Sequence, residues 1–160
     1  MIFSRDVFAE TNPAFYSAIF WQFCSAYKQE HTLQRPPAIP LIYLVVPLAI
    51  SEDLGTTFEG CNRDTGLPLW LNRSPQITID LAKKVNSTLE LTTAAVRFGC
   101  LTGLLHIAPT GDLDSAKKKF PTAVSTGIAS KALKRARLLG IWMATMGSPR
   151  AVLEALEVSV

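Results

Sequence analysis

The chain is poor in the groups that do chemistry, with two histidines and three cysteines in 160 residues. Cys24, Cys61 and Cys100 are odd in number, far apart, and without a second cysteine or a histidine at metal-ligand spacing. That argues against a zinc site or a disulfide framework and for buried reduced thiols. Charge is scarce as well, 18% against 48% hydrophobic residues, which places the chain among globular proteins with a substantial core. No apolar run reaches the roughly 18 residues a membrane span requires. The opening "MIFSRDVFAE" lacks the basic start and small-residue cleavage site of a secretory signal. A cytoplasmic protein with no membrane contact is the expectation. Also missing are a Gly-x-x-x-x-Gly-Lys loop, a His-Glu-x-x-His pair and a Gly-x-Gly-x-x-Gly turn. Ser25 with Lys28 and Ser115 with Lys118 fit Ser-x-x-Lys, but no Ser-Asp-Asn or Lys-Thr-Gly element accompanies them, and such short matches arise by chance. His31 lies beside a proline-rich linker and His106 alternates with apolar neighbours, so both read as structural. No catalytic residue, metal ligand or cofactor site is assigned.

What charge there is lies unevenly. Residues 1–72 hold four Lys or Arg against seven acids, and residues 73–160 hold twelve against six. The second half is therefore suited to something negative, either phosphate backbone or an acidic protein surface.

Asn12 and Pro13 mark a helix start, with Asn as N-cap and proline supplying a fixed φ in the first turn. The helix should run to about Glu30. No charge occurs between Thr11 and Tyr27, while Phe15, Tyr16, Ile19, Phe20, Trp21, Phe23 and Tyr27 cover nearly the whole wheel. Such a helix is buried all round, either wholly inside this domain or with one face against another chain; on the second reading Phe15, Phe20 and Trp21 belong to a partner interface. "RPPAIP" then forces a turn or linker. "LIYLVVPLAI" reads as a short buried helix kinked or ended near Pro47, which argues against a central strand. "SEDLGTTFEGCNRDTGLP" reads as a loop dividing an N-terminal helical segment, 1–72, from a second unit, 73–160, within what is best seen as one compact domain.

Ser74 and Pro75 repeat the cap-and-proline signal, with Ile77, Leu81 and Val85 behind them. Leu91, Ala94, Ala95, Phe98 and Leu101 give a second apolar stripe ending at Gly103. "LLHI", "APTGD" and "LDS" complete a hairpin. Helix, helix and hairpin are the core of a winged helix. Ile128, Ala132, Ala136, Leu139 and Met143 mark a further helix, whose other side carries Lys131, Lys134, Arg135 and Arg137. Ser148 and Pro149 start a last short helix through Leu156. The fold expected is mainly α with a small β wing, a winged-helix-like C-terminal half packed by N-terminal helices.

A winged helix that reads DNA offers Arg, Lys, Asn or Gln to base edges. Here the outward face of the second helix is read as Thr92, Thr93, Val96, Arg97 and Cys100, of which only Arg97 suits a base or phosphate. Lys83, Lys84 and the run Lys117, Lys118, Lys119 could touch phosphates without reading sequence, or could be solvated surface. The helix after the hairpin combines Lys131, Lys134, Arg135 and Arg137 with Trp142. That is the composition of a protein interface, with a filled core and solvated charges as the plainer alternative.

The order of these pieces resembles a known family. "ETNPAF" opening an apolar helix, "PLIYLVVPLAI" after a proline turn, Trp70 before "SPQITIDLAKKV", and "LTTAAVRFGCLTGLL" before a wing together are similar to the middle component of three-component ABC systems, over about Asn12 to Leu156. The chain differs at "SEDLGTTFEG", acidic where relatives commonly carry basic or histidine-bearing residues. The resemblance implies a small protein encoded beside an ABC ATPase of the structural-maintenance-of-chromosomes (SMC) type and a variable effector, often a nuclease, as in the Lamassu antiphage defences. It implies an adapter that docks on the ATPase and restrains the effector until foreign DNA is sensed. The function expected is thus a non-enzymatic adapter, with DNA contact non-specific or made through the partner. A winged-helix transcriptional regulator is the alternative, and a small hydrolase the third reading.

Overall fold

A computed structural model describes residues 12–116 and 128–158. Among them the chain is mainly helical, with one two-stranded antiparallel sheet. Helix α1, Pro13–Glu30, starts where the sequence signals it: Asn12 Oδ1 accepts from the Ala14 amide at 3.0 Å, and Pro13 stands in the first turn. It ends at His31, extended, ahead of the prolines. Helix α2, Ile39–Ala49, is the apolar run, and it continues two residues past Pro47. The ring costs the helix one backbone hydrogen bond, and burial of Leu41, Ile42, Leu44, Val45, Val46 and Leu48 in the core offsets it.

The segment read as a loop is more ordered than its composition suggests. A 3-10 helix at Glu52–Phe58 buries Leu54, Thr57 and Phe58, and a short helix α3, Leu67–Arg73, follows Gly66, whose φ of 78° suits glycine. Trp70 of α3 is fully buried, its Nε1 donating to Thr57 O at 3.2 Å and Thr57 Oγ1 at 3.1 Å. Pro75 opens only a three-residue 3-10 turn, Pro75–Ile77.

The two helices expected between Ile77 and Leu101 are largely one, α4, Leu81–Leu101. Asn86, Ser87 and Thr88 are weak helix formers but not breakers, and the hydroxyls of Ser87 and Thr88 bond back to the Lys84 carbonyl at 2.9 and 3.0 Å without interrupting the turn. Its inward row is Leu81, Val85, Thr88, Thr92, Ala95, Val96 and Gly99, buried or half-buried at helical spacing. Strands β1, Leu105–Ile107, and β2, Leu113–Ser115, form the expected hairpin, with His106 opposite Asp114. Gly99 lets it approach: a β-carbon there would lie 2.4 Å from Leu105 Cδ1. The C-terminal half is therefore a long helix with a hairpin folded against it, and the helix pair of the expected winged helix does not form as a pair.

Helices α5, Ile128–Thr145, and α6, Pro149–Ala155, fall where the sequence puts them, Ser148 Oγ capping α6 by accepting from the Ala151 amide at 3.2 Å. Helix α1 is the centre of the structure, packed by α5, α4, α2 and β2. One core cluster runs from Tyr16 to Leu156 across the division at residue 72. No single helix among the described residues is long and apolar enough to cross a membrane.

Candidate functional site

The residues singled out in the sequence divide into core and surface. On α1, Phe20 is fully buried, Trp21 nearly so, and Phe15 is half-buried against the core. The all-round apolarity of this helix is used up within the domain, and these side chains form no outward face for a partner. Trp142 is corrected in the same way. It is fully buried, donates from Nε1 to the Asn62 carbonyl at 3.0 Å, stacks on Phe58 with centroids 6.1 Å apart, and packs tilted against Trp70 at 5.4 Å. It fixes α5 to the segment before α3 and is not an exposed anchor.

The cations of α5 remain. Lys131, Lys134 and Arg137 are exposed, and none forms an ion pair among the described residues. Arg135 is half-buried. Its guanidinium donates to the Ala49 carbonyl at 3.4 Å, near the C-terminus of α2, and lies 5.6 Å from the Phe58 ring centroid. A cation placed there is favoured by the helix dipole and by the ring face. Lys131, Lys134, Arg135 and Leu138 form one wall of an open cleft of about 500 Å3, whose other wall is the 3-10 segment, including Glu52, Gly55, Phe58 and Glu59. Arg137 does not line it. The basic wall of this cleft is legible in the sequence and the acidic one is not, because nothing in "SEDLGTTFEG" signals an ordered turn folded onto a distant helix.

The expected reading face of α4 is rotated. Thr92 and Val96 are buried, and Thr93 Oγ1 is hydrogen-bonded to the Tyr43 hydroxyl at 2.8 Å. What α4 exposes instead is Ala94, Phe98 and Leu101, the last 83% accessible, with Arg97 beside them. Lys83 is exposed, whereas Lys84 is paired to Asp53 at 2.7 Å. That pairing holds the Asp53 carboxyl below its usual range, through the hydrogen bond from Lys84 first and that from Ser51 second. Lys117, Lys118 and Lys119 lie outside the described residues. Among the described residues, Lys83, Lys84 and Arg97 are not gathered into one tract on α4.

Burial pushes the Cys24 thiol well up, aided by nearby Asp114, and burial also raises Cys100. Lys28 of the Ser-x-x-Lys match pairs with Asp114 at 2.9 Å and ties α1 to β2. His31 stacks on Tyr27 at 5.6 Å, and its Nδ1 accepts from the Leu33 amide at 3.2 Å. His106 is exposed on the hairpin. No group of three or more His, Cys, Asp or Glu suited to a metal ion occurs among the described residues.

No curated protein and no solved structure matches the chain. A family model does, across residues 4–160. The apolar helix behind Asn12 and Pro13, the proline-led α2, Trp70 ahead of α4 and the hairpin that follows it all fall within that match, and the chain belongs to the family described as ABC-three component (ABC-3C) system Middle Component 3.

Proposed function

We propose that this chain is a non-enzymatic adapter that joins an ABC ATPase of the SMC type to an effector, such as a nuclease, in a cytoplasmic antiphage defence complex. The carrying observation is family membership over residues 4–160, since a middle component of a multi-component system has partner proteins. Two surface features support it. Helix α5 presents three exposed cations without carboxylate partners among the described residues, and α4 presents Phe98 and Leu101 to solvent. Unpaired charge on one helix and exposed apolar side chains on another each suit contact with a protein. Contact with DNA is on this reading non-specific or made through the partner.

The test is reconstitution with the ATPase and third component encoded beside this chain. The expected result is a ternary complex on size exclusion that loses the link between ATPase and effector when this chain is omitted. Direct association of those two proteins, equally tight without it, would overturn the adapter role.

A further inference from the structure

Helix α5 carries Lys131, Lys134, Arg135 and Arg137 and no acid at all. Elsewhere Lys28, Arg63, Lys84 and Arg150 each meet a carboxylate at 2.7 to 3.0 Å. The cations of α5 meet none among the described residues. Among the described residues Arg135 has neutral partners, the Ala49 carbonyl and the Phe58 ring. It is also closely held: a β-carbon at Gly55 would lie 3.1 Å from its guanidinium. The cleft beside it thus has a held positive charge and two exposed lysines on one wall, with apolar surface from Cys61 and Leu138.

We propose that this cleft docks an acidic segment of a partner protein, its carboxylates on Lys131 and Lys134 and one apolar side chain against Leu138 and Cys61. The assignment rests on the adapter reading and names the chemistry of one partner. Charge complementarity selects the occupant. An acidic peptide can place its carboxylates on the α5 wall alone, whereas a nucleic-acid strand carries phosphate at every step and would meet Glu52 and Glu59 across the cleft. The apolar side chains of Cys61 and Leu138 also have a use in binding a peptide side chain that they lack in binding phosphate.

The test uses the full chain and a fluorescein-labelled peptide with a central tryptophan, two glutamates spaced to one side of it and otherwise neutral residues, read by fluorescence anisotropy at low salt. The peptide is expected to bind, and to bind more weakly with alanine at its centre. Lys131→Glu with Lys134→Glu should lower its affinity on the order of tenfold, because charge at an interface is reversed and not merely removed. Lys83→Glu should leave it unchanged. Lys131→Gln with Lys134→Gln, which removes charge without reversing it, should give a smaller loss in the same direction, and an unshifted thermal midpoint checks that each variant folds. The assignment is overturned by absence of peptide binding, by an equal loss in Lys83→Glu, by equal competition from a single-stranded oligonucleotide of the same charge, or by self-association of the wild-type chain that the double reversal abolishes. These readouts need no ATPase or effector, so failure of the cleft and failure of the adapter reading are seen separately.

Discussion

Gly140 of α5 sits against the Phe23 carbonyl of α1: a β-carbon at Gly140 would lie 2.7 Å from that oxygen and 3.1 Å from the Tyr27 amide nitrogen. The two longest-packed helices of the fold meet at backbone distance there. Alanine is favoured over glycine in a helix by about 1 kcal/mol, yet Gly140→Ala is expected to destabilise by about 1 to 3 kcal/mol, because the neighbouring atoms are backbone and cannot rotate away. Urea unfolding measures it. A raised midpoint would show that the helices can separate at no cost.

Thr92 is fully buried on α4, and its Oγ1 has no hydrogen-bond partner among the described residues. Valine has nearly the same shape without the hydroxyl. Thr92→Val should therefore raise stability by about 1 kcal/mol, by removing an unpaired polar group, while Thr92→Ser, which keeps the hydroxyl and loses the methyl, should lower it by about as much. Both changes are read from chemical denaturation, and the opposite order would mean that the hydroxyl is satisfied.

Thr92 also shows where the sequence stops being legible. A cap residue before a proline is a local signal that starts a helix as read at Asn12 and Ser148, whereas the same signal at Ser74 and Pro75 opens only a 3-10 turn and the long helix starts at Leu81. The hairpin turn and the apolar row of α5 are similarly local. The phase of α4 is not: its buried row includes Thr92, Ala95 and Gly99, while Phe98 and Leu101 face outward. Hydropathy favours the larger apolar residues, but close approach of α4 to its neighbours needs the small ones. The candidate cleft divides in the same manner. Lys131 and Lys134 stand out by composition, whereas Glu52, Gly55 and Glu59 join them only through tertiary folding. Trp142 was ambiguous between interface and core, and only packing against Phe58 and Trp70 assigns it to the core.

The three thiols should differ in reactivity. Cys24 is fully buried, and burial first, then Asp114, pushes its thiol well above the ordinary range. Since the thiolate is the nucleophile, iodoacetamide under native conditions should modify Cys61 and Cys100, both half-buried, well before Cys24. Unfolding in urea should level the three. Mass spectrometry of the native reaction checks the order, and early loss of Cys24 would show that α1 opens readily.

Asp53 is held below its ordinary range by Lys84 and Ser51. A carboxyl depressed in the folded state contributes stability above its unfolded pKa, about 3.9, and that contribution is lost as pH falls through the folded value. The contribution is small, because the Asp53 side chain is 65% exposed and solvent screens the pair. Asp53→Asn should therefore flatten a shallow decline in stability below about pH 4 and change little at neutral pH. A wild-type and variant pair with parallel unfolding midpoints across that acid range would sink the assignment.

Arg135 and its neighbours Lys131 and Lys134 test whether the cations of α5 have different duties. Arg135 bonds the Ala49 carbonyl at 3.4 Å and covers Phe58, so truncation removes a long charged hydrogen bond, a cation over a ring and the packing of its aliphatic stem. Arg135→Ala is expected to cost about 1 to 2 kcal/mol in chemical denaturation, near the lower end for a charged hydrogen bond because of its length. Arg135→Lys should recover only part of this, since an ammonium cannot lie flat on the ring while also donating to the carbonyl. Lys131→Ala and Lys134→Ala, by contrast, remove exposed side chains with no ion pair among the described residues and should each stay within about 0.5 kcal/mol of wild type. Equal costs at all three positions would mean that the lysines also hold the fold together, and the division of α5 into one structural cation and two free ones would fail.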